Sequence, residues 1–127
     1  MSDTETEGIR IVVRPRYWAE RSEPGQGRFA FTYEVVITNE GREPARLTHR
    51  RWVITDAMGR VQEVQGPGVV GKTPRLAPGD HFAYTSWAMI ETPFGTMEGH
   101  FVMERPDGRS FNAAIDSFSL MQPHALN

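Results

Sequence analysis

The sequence predicts an all-β protein, an antiparallel β-sandwich of seven to eight strands. Three observations support this fold class. Apolar and polar residues alternate with a period of two in several short segments, and turn-forming Gly, Pro, Asn and Asp residues separate those segments. No segment keeps the i, i+3, i+4 apolar spacing of a helix for more than one turn. The strands predicted from this pattern lie at residues 8–18, 29–37, 46–55, 61–65, 81–90, 97–105 and 110–118.

The first three predicted strands differ in the quality of their pattern. Residues 8–18 alternate clearly, but Pro15 cannot donate a ladder hydrogen bond and therefore predicts a sheet edge or a bulge. Residues 29–37 form the longest unbroken alternation in the chain, which is typical of a central strand. Residues 46–55 resume the pattern after a break, and Trp52 is expected to face the core.

Turn chemistry separates the later strands. Turns are predicted at residues 56–59, 92–95 and 105–108, and a type II turn is predicted at residues 77–80, where Gly79 supplies the positive φ. The segment that contains Leu76, Pro78, Gly79 and Phe82 resembles the corner between strands E and F of fibronectin type III domains. It therefore favours an immunoglobulin or fibronectin type III-like topology. Phe82 has no hydroxyl, so the hydrogen bond of a tyrosine corner is not expected.

Composition limits the class of protein. The 127 residues fit a single domain, with residues 1–7 and 122–127 expected to be frayed. The absence of cysteine excludes disulfides and thiolate metal sites. A net charge of −2 is far from the basic balance of a protein that binds nucleic acid through its backbone, so no nucleic-acid partner is expected. No export signal or membrane span is recognisable, and we expect a cytoplasmic protein that is not inserted in a membrane.

A glycine-rich loop follows the predicted strand 61–65. Gly66, Gly68 and Gly71 satisfy the G-x-G-x-x-G pattern of dinucleotide-binding sites. Such a site also needs a helix that begins at the motif, and Pro74 and Pro78 disfavour helical geometry immediately downstream. The sequence therefore predicts no dinucleotide-binding fold at this loop.

Two interpretations of the loop remain open. Its backbone amides could form a nest that binds phosphate, pyrophosphate or a nucleotide, with Lys72 and Arg75 nearby. Alternatively, the glycines only shape a compact loop, while Val69 and Val70 plug the end of the sandwich. The second interpretation is favoured, because the motif lacks its usual structural context.

The sequence gives only weak indications of a metal site or a catalytic site. Glu98, His100 and Glu104 share a parity on one predicted strand, but a solvated strand face produces the same pattern. They are weak candidates for binding a divalent cation. Apart from this possibility, and an equally weak one of phosphate binding, no cofactor is expected. No G-x-S-x-G elbow and no cysteine nucleophile is present, so we expect no enzyme.

Recognition of a protein partner is the favoured function. Trp18, Trp87 and Phe94 could act as anchors if they are exposed, and Arg50 belongs to a basic cluster after the second predicted strand. Edge strands could pair with a partner or with a second copy to form a homodimer. The alternative for each aromatic residue is core packing. The favoured hypothesis is a non-catalytic protein-binding module, with small-anion binding at the loop as the alternative.

Three segments carry a resemblance to a known family: RRWVITDAMGRVQEVQG at 50–66, GPGVVGKTPRLAPGDHFAYTS at 66–86 and ETPFGTMEGHF at 91–101. Together they resemble the ApaG family over about residues 9–120. The resemblance implies a fibronectin type III-like sandwich and an association with cobalt resistance and magnesium efflux, without implying a reaction. Because no membrane span is present, any such role would be indirect. Trp87, and Asp116 after Ile115, depart from the family's usual residues.

Overall fold

The computed structural model describes residues 1–124, which are almost entirely β-strand and turn. Nine strands lie in this range, together with two short 3₁₀ turns at Ala19–Arg21 and Pro24–Gln26. The strands are β1 (Ser2–Thr6), β2 (Ile9–Tyr17), β3 (Phe29–Asn39), β4 (Ala45–Asp56), β5 (Val61–Pro67), β6 (Arg75–Leu76), β7 (His81–Ile90), β8 (Phe94–Glu104) and β9 (Ser110–Met121).

The strands form two antiparallel sheets that pack face to face. One sheet has the order β1-β2-β3-β7, and the other has the order β5-β4-β8-β9, with β6 paired to one end of β4. The predicted all-β sandwich is therefore confirmed. The two strands beyond the seven predicted are β1 and β6, and the positions of the other seven agree with the alternation to within about three residues.

The expectation that residues 1–7 are frayed was wrong. β1 pairs antiparallel with β2, from Ser2 opposite Val13 to Thr6 opposite Ile9. Glu7 and Gly8 join the two strands with positive φ angles of 48° and 86°, the signature of a tight type I′ hairpin. The strand was missed because backbone hydrogen bonds hold it, whereas its side chains are polar. At the other end, residues 125–127 of the expected frayed tail lie outside the described residues.

Pro15 occupies the position that its chemistry requires. The pairing with β1 ends at Val13, so β2 has a free edge from there onward. Pro15 still lies opposite Tyr33 of β3 on its other side. The missing amide hydrogen therefore leaves the ladder intact, and the predicted edge position is confirmed.

The core lies between the two inner faces, and its centre is aromatic. Trp52 is 2% exposed and contacts Tyr33, Phe101 and Phe118 at ring-centroid distances of 5.2, 6.1 and 6.0 Å. Full burial of one such ring contributes roughly 1.5–3 kcal/mol. Its inward orientation agrees with the prediction. The sheets are thus held together by side chains that the alternation assigned to the inner face.

A β-bulge between Leu47 and His49 changes the parity of β4. Leu47 is fully buried, yet the inward positions after the bulge are the even-numbered ones, beginning with Arg50 and Trp52. A bulge inserts one residue and therefore shifts all following side chains by one position. As a result, an arginine lies on the inner face of a sandwich.

The two long sides of the sandwich differ. On one side, the end strands β1 and β9 are joined by side chains: the amide of Ala114 donates to Thr6 Oγ1 at 3.2 Å, and the amide of Asp116 donates to Thr4 Oγ1 at 3.3 Å. On the other side, the end strands are β5 and β7, and they border a cleft. We refer to these as the closed side and the open side.

Candidate functional site

The cleft on the open side has a volume of about 540 Å³. Strand β5 forms one wall with Gln62 and Val64, and strand β7 forms the other with Tyr84 and residues 86–89. Gln62 Nε2 donates to the carbonyl of Met89 at 3.3 Å and bridges the two strands. The loop that follows β5 also contributes to the lining, and Trp52 lies at the floor. A volume of this size suits one side chain or a short segment of a ligand.

Arg50 enters the cleft from the inner face of β4. Its cross-strand neighbours are Phe101, which is fully buried, and Gly66. The guanidinium lies over Gly66, and its Nη1 donates to the carbonyls of Pro67 at 2.9 Å and Gly68 at 3.0 Å. Within residues 1–124, no carboxylate lies within ion-pair distance of this guanidinium. The cleft therefore contains a positive charge that these residues do not neutralise.

Two tyrosines of the cleft present neutral hydroxyls. The hydroxyl of Tyr84 is buried and has no hydrogen-bond partner among residues 1–124. Burial raises the pKa of Tyr84 well above its ordinary value, and the neighbouring Tyr33 adds to the rise, while Arg50 opposes it. Burial also raises the pKa of Tyr33, against the effects of a hydrogen bond with Ser86 and of Arg50. Both phenols remain protonated at neutral pH and can donate hydrogen bonds.

The G-x-G-x-x-G loop is a tight hairpin. The amides of Val69 and Lys72 donate to each other's carbonyls at 2.8 and 2.9 Å, and the amide of Gly68 donates to Thr48 at 2.8 Å. Val70 and Gly71, at the centre, have φ angles of 44° and 77°, as a type I′ turn requires. The next element is the short strand β6, so no helix begins at the motif, as predicted.

Each glycine of the motif has a structural role in this hairpin. A Cβ on Gly66 would lie 3.1 Å from the guanidinium nitrogens of Arg50. A Cβ on Gly68 would collide with the carbonyl oxygen of Lys72. Gly71 has open space around it but needs its positive φ. The pattern is thus explained by the fold without a nucleotide.

Two of the loop amides proposed for anion binding already make backbone hydrogen bonds. The amides of Gly68 and Lys72 are already engaged in backbone hydrogen bonds, and the side chains of Lys72 and Arg75 are exposed. Anion binding here stays a prediction. Of the two valines expected to plug the sandwich, Val69 is fully buried, whereas Val70 is 55% exposed. The plug therefore consists of Val69 alone.

The four residues predicted to bind a partner separate into two regions. Trp87 is 57% exposed and makes an edge contact with Trp18 at 6.3 Å. Trp87 and Arg50 both line the cleft, and Trp87 also borders a second depression that includes Trp18. Phe94 does not line the cleft and lies opposite Met121 at the start of β8. The structure thus brings Trp18, Arg50 and Trp87 to the open side and leaves Phe94 apart.

The weak metal candidates do not assemble into a binding group. Glu98, His100 and Glu104 lie on β8, and the part of the chain that the structure describes has no group of three or more His, Asp or Glu residues able to hold a metal ion. Burial lowers the pKa of His100, and the nearby Arg51 lowers it further. No helix in residues 1–124 is long and apolar enough to cross a membrane.

Tyr84 and Gln62 belong to the cleft but were not predicted as residues of the site. A signal for Tyr84 was present, because the alternation of strand 81–90 puts the polar Tyr84 and Ser86 in the same inward stripe as Phe82 and Ala88. Polar residues in an inward stripe mark a place where the core meets a partner or a cavity. Gln62 had no such signal, because β5 is exposed along nearly its whole length.

Comparison with known proteins identifies the family. The ApaG domain family model matches residues 19–105. Protein ApaG of Anaeromyxobacter dehalogenans strain 2CP-1 is 51% identical over 127 residues, which cover 100% of each chain. Protein ApaG of Methylobacterium sp. strain 4-46 is 51% identical over 124 residues, which cover 98% of this chain and 95% of that one. The crystal structure of the putative ApaA protein from Bordetella pertussis superposes with a TM-score of 0.90 at 44% identity, covering 95% of this chain and 98% of that one. This chain therefore belongs to the ApaG family.

Proposed function

We propose that this chain is a non-catalytic, cytoplasmic binding module that recognises an extended segment of a protein partner along the open side. The observation that carries the proposal is the cleft between the end strands β5 and β7, which belong to different sheets. The outer edge of an end strand presents unpaired backbone N–H and C=O groups. An extended peptide can pair with such an edge while its side chains enter a neighbouring pocket.

Exposed apolar side chains border the cleft and supply anchors. Trp87, Val70 and Val64 are 57, 55 and 39% exposed. Tryptophan is among the residues that most often dominate binding energy at protein interfaces. Apolar residues on both sides of a cleft between strands favour a chain segment that lies along it. A second copy of this protein, which would form a homodimer, is one outcome of the test below.

The lining of the cleft supports a non-catalytic role. Its residues include an arginine, two tyrosines, a serine and a glutamine, but within residues 1–124 no Asp, Glu, His, Lys or Cys lines it. General acid–base catalysis needs a group that titrates near the working pH, and nucleophilic catalysis needs an activating base. Ser86 has no such base beside it in the cleft. These groups bind and orient a ligand, and none of them is suited to transform it.

A peptide-library selection tests the proposal. The immobilised full chain is used to select random peptides, and the binders are mapped by amide NMR shifts on the labelled protein. We expect shifts concentrated at residues 62–66 and 84–89, and loss of binding in Trp87→Ala. Met121→Ala is the matched control, because Met121 is a comparably exposed apolar residue at the end of β9. A selection without binders, binders that map to the closed side, or binding only of a second copy would refute the proposed peptide site.

Anion binding at the GPGVVG loop is the alternative, and it has a separate test. Pyrophosphate and nucleotides are titrated while the amide shifts of residues 66–75 are followed. Shifts there that saturate, and that disappear when Lys72→Ala and Arg75→Ala are combined, would favour the alternative. Under the favoured proposal, any effect of the family on cobalt or magnesium is exerted through the bound partner.

A further inference from the structure

Two hydrogen-bond donors in the cleft lack an acceptor or a counter-charge of their own. They are the guanidinium of Arg50 and the hydroxyl of Tyr84. We propose that these two groups bind a carboxylate of the partner segment, either an acidic side chain or the chain terminus. This inference specifies the chemistry of the peptide site and therefore rests on the proposed function.

The charge of Arg50 has no carboxylate partner within residues 1–124. Arg51, the next residue, points to the outer face and is paired with Glu63 at 2.7 Å. Arg10 and Arg60 also have carboxylate partners, Asp3 and Asp56, each at 2.6 Å. Arg50 faces inward, is half-buried and has only carbonyl oxygens as acceptors.

A partly desolvated charge is unfavourable unless an opposite charge accompanies it. The two carbonyls that Arg50 contacts carry only partial charges, and both accept from the same nitrogen, Nη1. Its other N–H groups make no hydrogen bond within residues 1–124. A guanidinium with donors to spare is suited to paired hydrogen bonds with a carboxylate. The arginine thus has both the charge and the geometry to bind one.

The hydroxyl of Tyr84 is buried without a partner within residues 1–124. Buried hydroxyls in folded proteins nearly always have a partner, so an exception needs an explanation. Tyr84, Arg50 and Tyr33 line the same cleft. One acceptor placed between the guanidinium and this hydroxyl would accept from both.

The other residues that line the cleft favour a bound carboxylate. Trp52, Val64 and Met97 line the same cleft and keep its polarity low, which strengthens a charged hydrogen bond. Among residues 1–124, no acidic side chain lines the cleft to repel an incoming carboxylate. Gly66 leaves the space in which the Arg50 guanidinium lies. The glycine of the loop motif therefore supports the carboxylate site through the arginine, and not through its own amide.

Small probes test the chemistry without knowledge of the partner. N-acetyl-leucine and its amide represent the chain terminus, and N-acetyl-glutamate α-amide and N-acetyl-glutamine α-amide represent the side chain. We expect the two acids to shift the Nε–H signal of Arg50 and the ring carbon signals of Tyr84 in a saturable way, and the two neutral amides to leave them unchanged. The acid that binds more tightly identifies the source of the carboxylate. Inorganic phosphate that shifts both groups as strongly, or acids that shift neither, would overturn the proposal.

Variants separate a binding role from a structural one. Tyr84→Phe is expected to weaken binding of the acid about tenfold, the effect of losing one hydrogen bond to a charged group. The same change should raise the Tm of the free protein, because the unpartnered hydroxyl is removed. A lowered Tm with unchanged affinity would show a purely structural hydroxyl. Arg50→Gln should abolish acid binding, and Tyr17→Phe, outside the cleft, is the control.

The two proposals can fail independently. Trp87→Ala should abolish binding of selected peptides, whereas Arg50 and Tyr84, the donors of the carboxylate site, remain in place. Peptides that bind equally well to Arg50→Gln would overturn the carboxylate site and leave the peptide site standing. Acids that bind at Arg50 while no peptide is selected would overturn the peptide site instead.

Discussion

The closed and open sides of the sandwich differ in how the polar groups at their end strands are hydrogen-bonded. On both sides, two end strands from different sheets come near each other with polar groups at the rim. On the closed side, the hydroxyls of Thr4 and Thr6 accept from the amides of β9 and join the end strands, although the buried hydroxyl of Ser2 on β1 has no partner within residues 1–124. On the open side, the donors of Arg50 and Tyr84 face a cleft. The hydrogen bonds on the closed side join two end strands, whereas the donors on the open side lie beside a space that a ligand can enter.

The largest expected effect on stability distinguishes Trp52, at the floor of the cleft, from Trp87, at its border. Trp52→Ala should destabilise the protein by about 3–5 kcal/mol, because a ring in the centre of the core is replaced by a cavity. Trp87→Ala should cost less than about 1 kcal/mol, because that ring is largely exposed. Urea denaturation of both variants measures the difference. Equal losses would show that Trp87 belongs to the core and is unsuitable as a partner anchor.

The hairpin at the end of the cleft gives the next largest effect. Gly68→Ala is expected to cost about 3 kcal/mol, since about 1–2 kcal/mol of left-handed backbone strain is joined by a collision with the Lys72 carbonyl. Gly71→Ala should cost only the strain, about 1–2 kcal/mol, because its surroundings are open. Thermal unfolding of the pair checks the order. If Gly71→Ala costs more, the hairpin contacts are not the reason for the motif.

On the closed side, removal of hydroxyls should be destabilising. Thr4→Val and Thr6→Val together leave the amides of Ala114 and Asp116 without their acceptors, at a cost of about 1–3 kcal/mol. Hydrogen exchange should accelerate at those two amides and remain unchanged in the β3–β7 ladder. Unchanged exchange at both would mean that the threonines do not join the end strands.

On the open side, removal of a hydroxyl should change the free energy of unfolding in the opposite direction and by the smallest amount. Tyr84→Phe is expected to stabilise the free protein by about 1 kcal/mol, because the phenol is buried without a partner. The measurement is the urea midpoint, compared with that of the threonine double variant. If both changes destabilise, the contrast between the two sides is not one of hydrogen-bond satisfaction.

Part of the site was predictable from the chain alone. Pro74 excluded a helix after the glycines, and Gly79 marked the type II turn, which has a φ of 89° and a 2.9 Å hydrogen bond from Asp80 to Ala77. The even-numbered positions of the predicted strand at 46–55 put Arg50 in the same stripe as Trp52, although the arginine was assigned to a surface cluster. These are local properties, set by φ preferences and by the period of two, and they follow from a few neighbouring residues.

The tertiary structure alone decided which strands are neighbours and where the sandwich opens. Nothing in the side chains of residues 2–6 signals a strand, because backbone groups make its ladder and every residue except proline has them. The bulge at Leu47 shifted the inward parity, so that an apolar side chain before it and Arg50 after it face the same way. A period of two reports which face of a strand is buried, but it carries no information about the strand on the other side of the ladder. For that reason, the sequence determined the strands and the sheet arrangement determined the cleft.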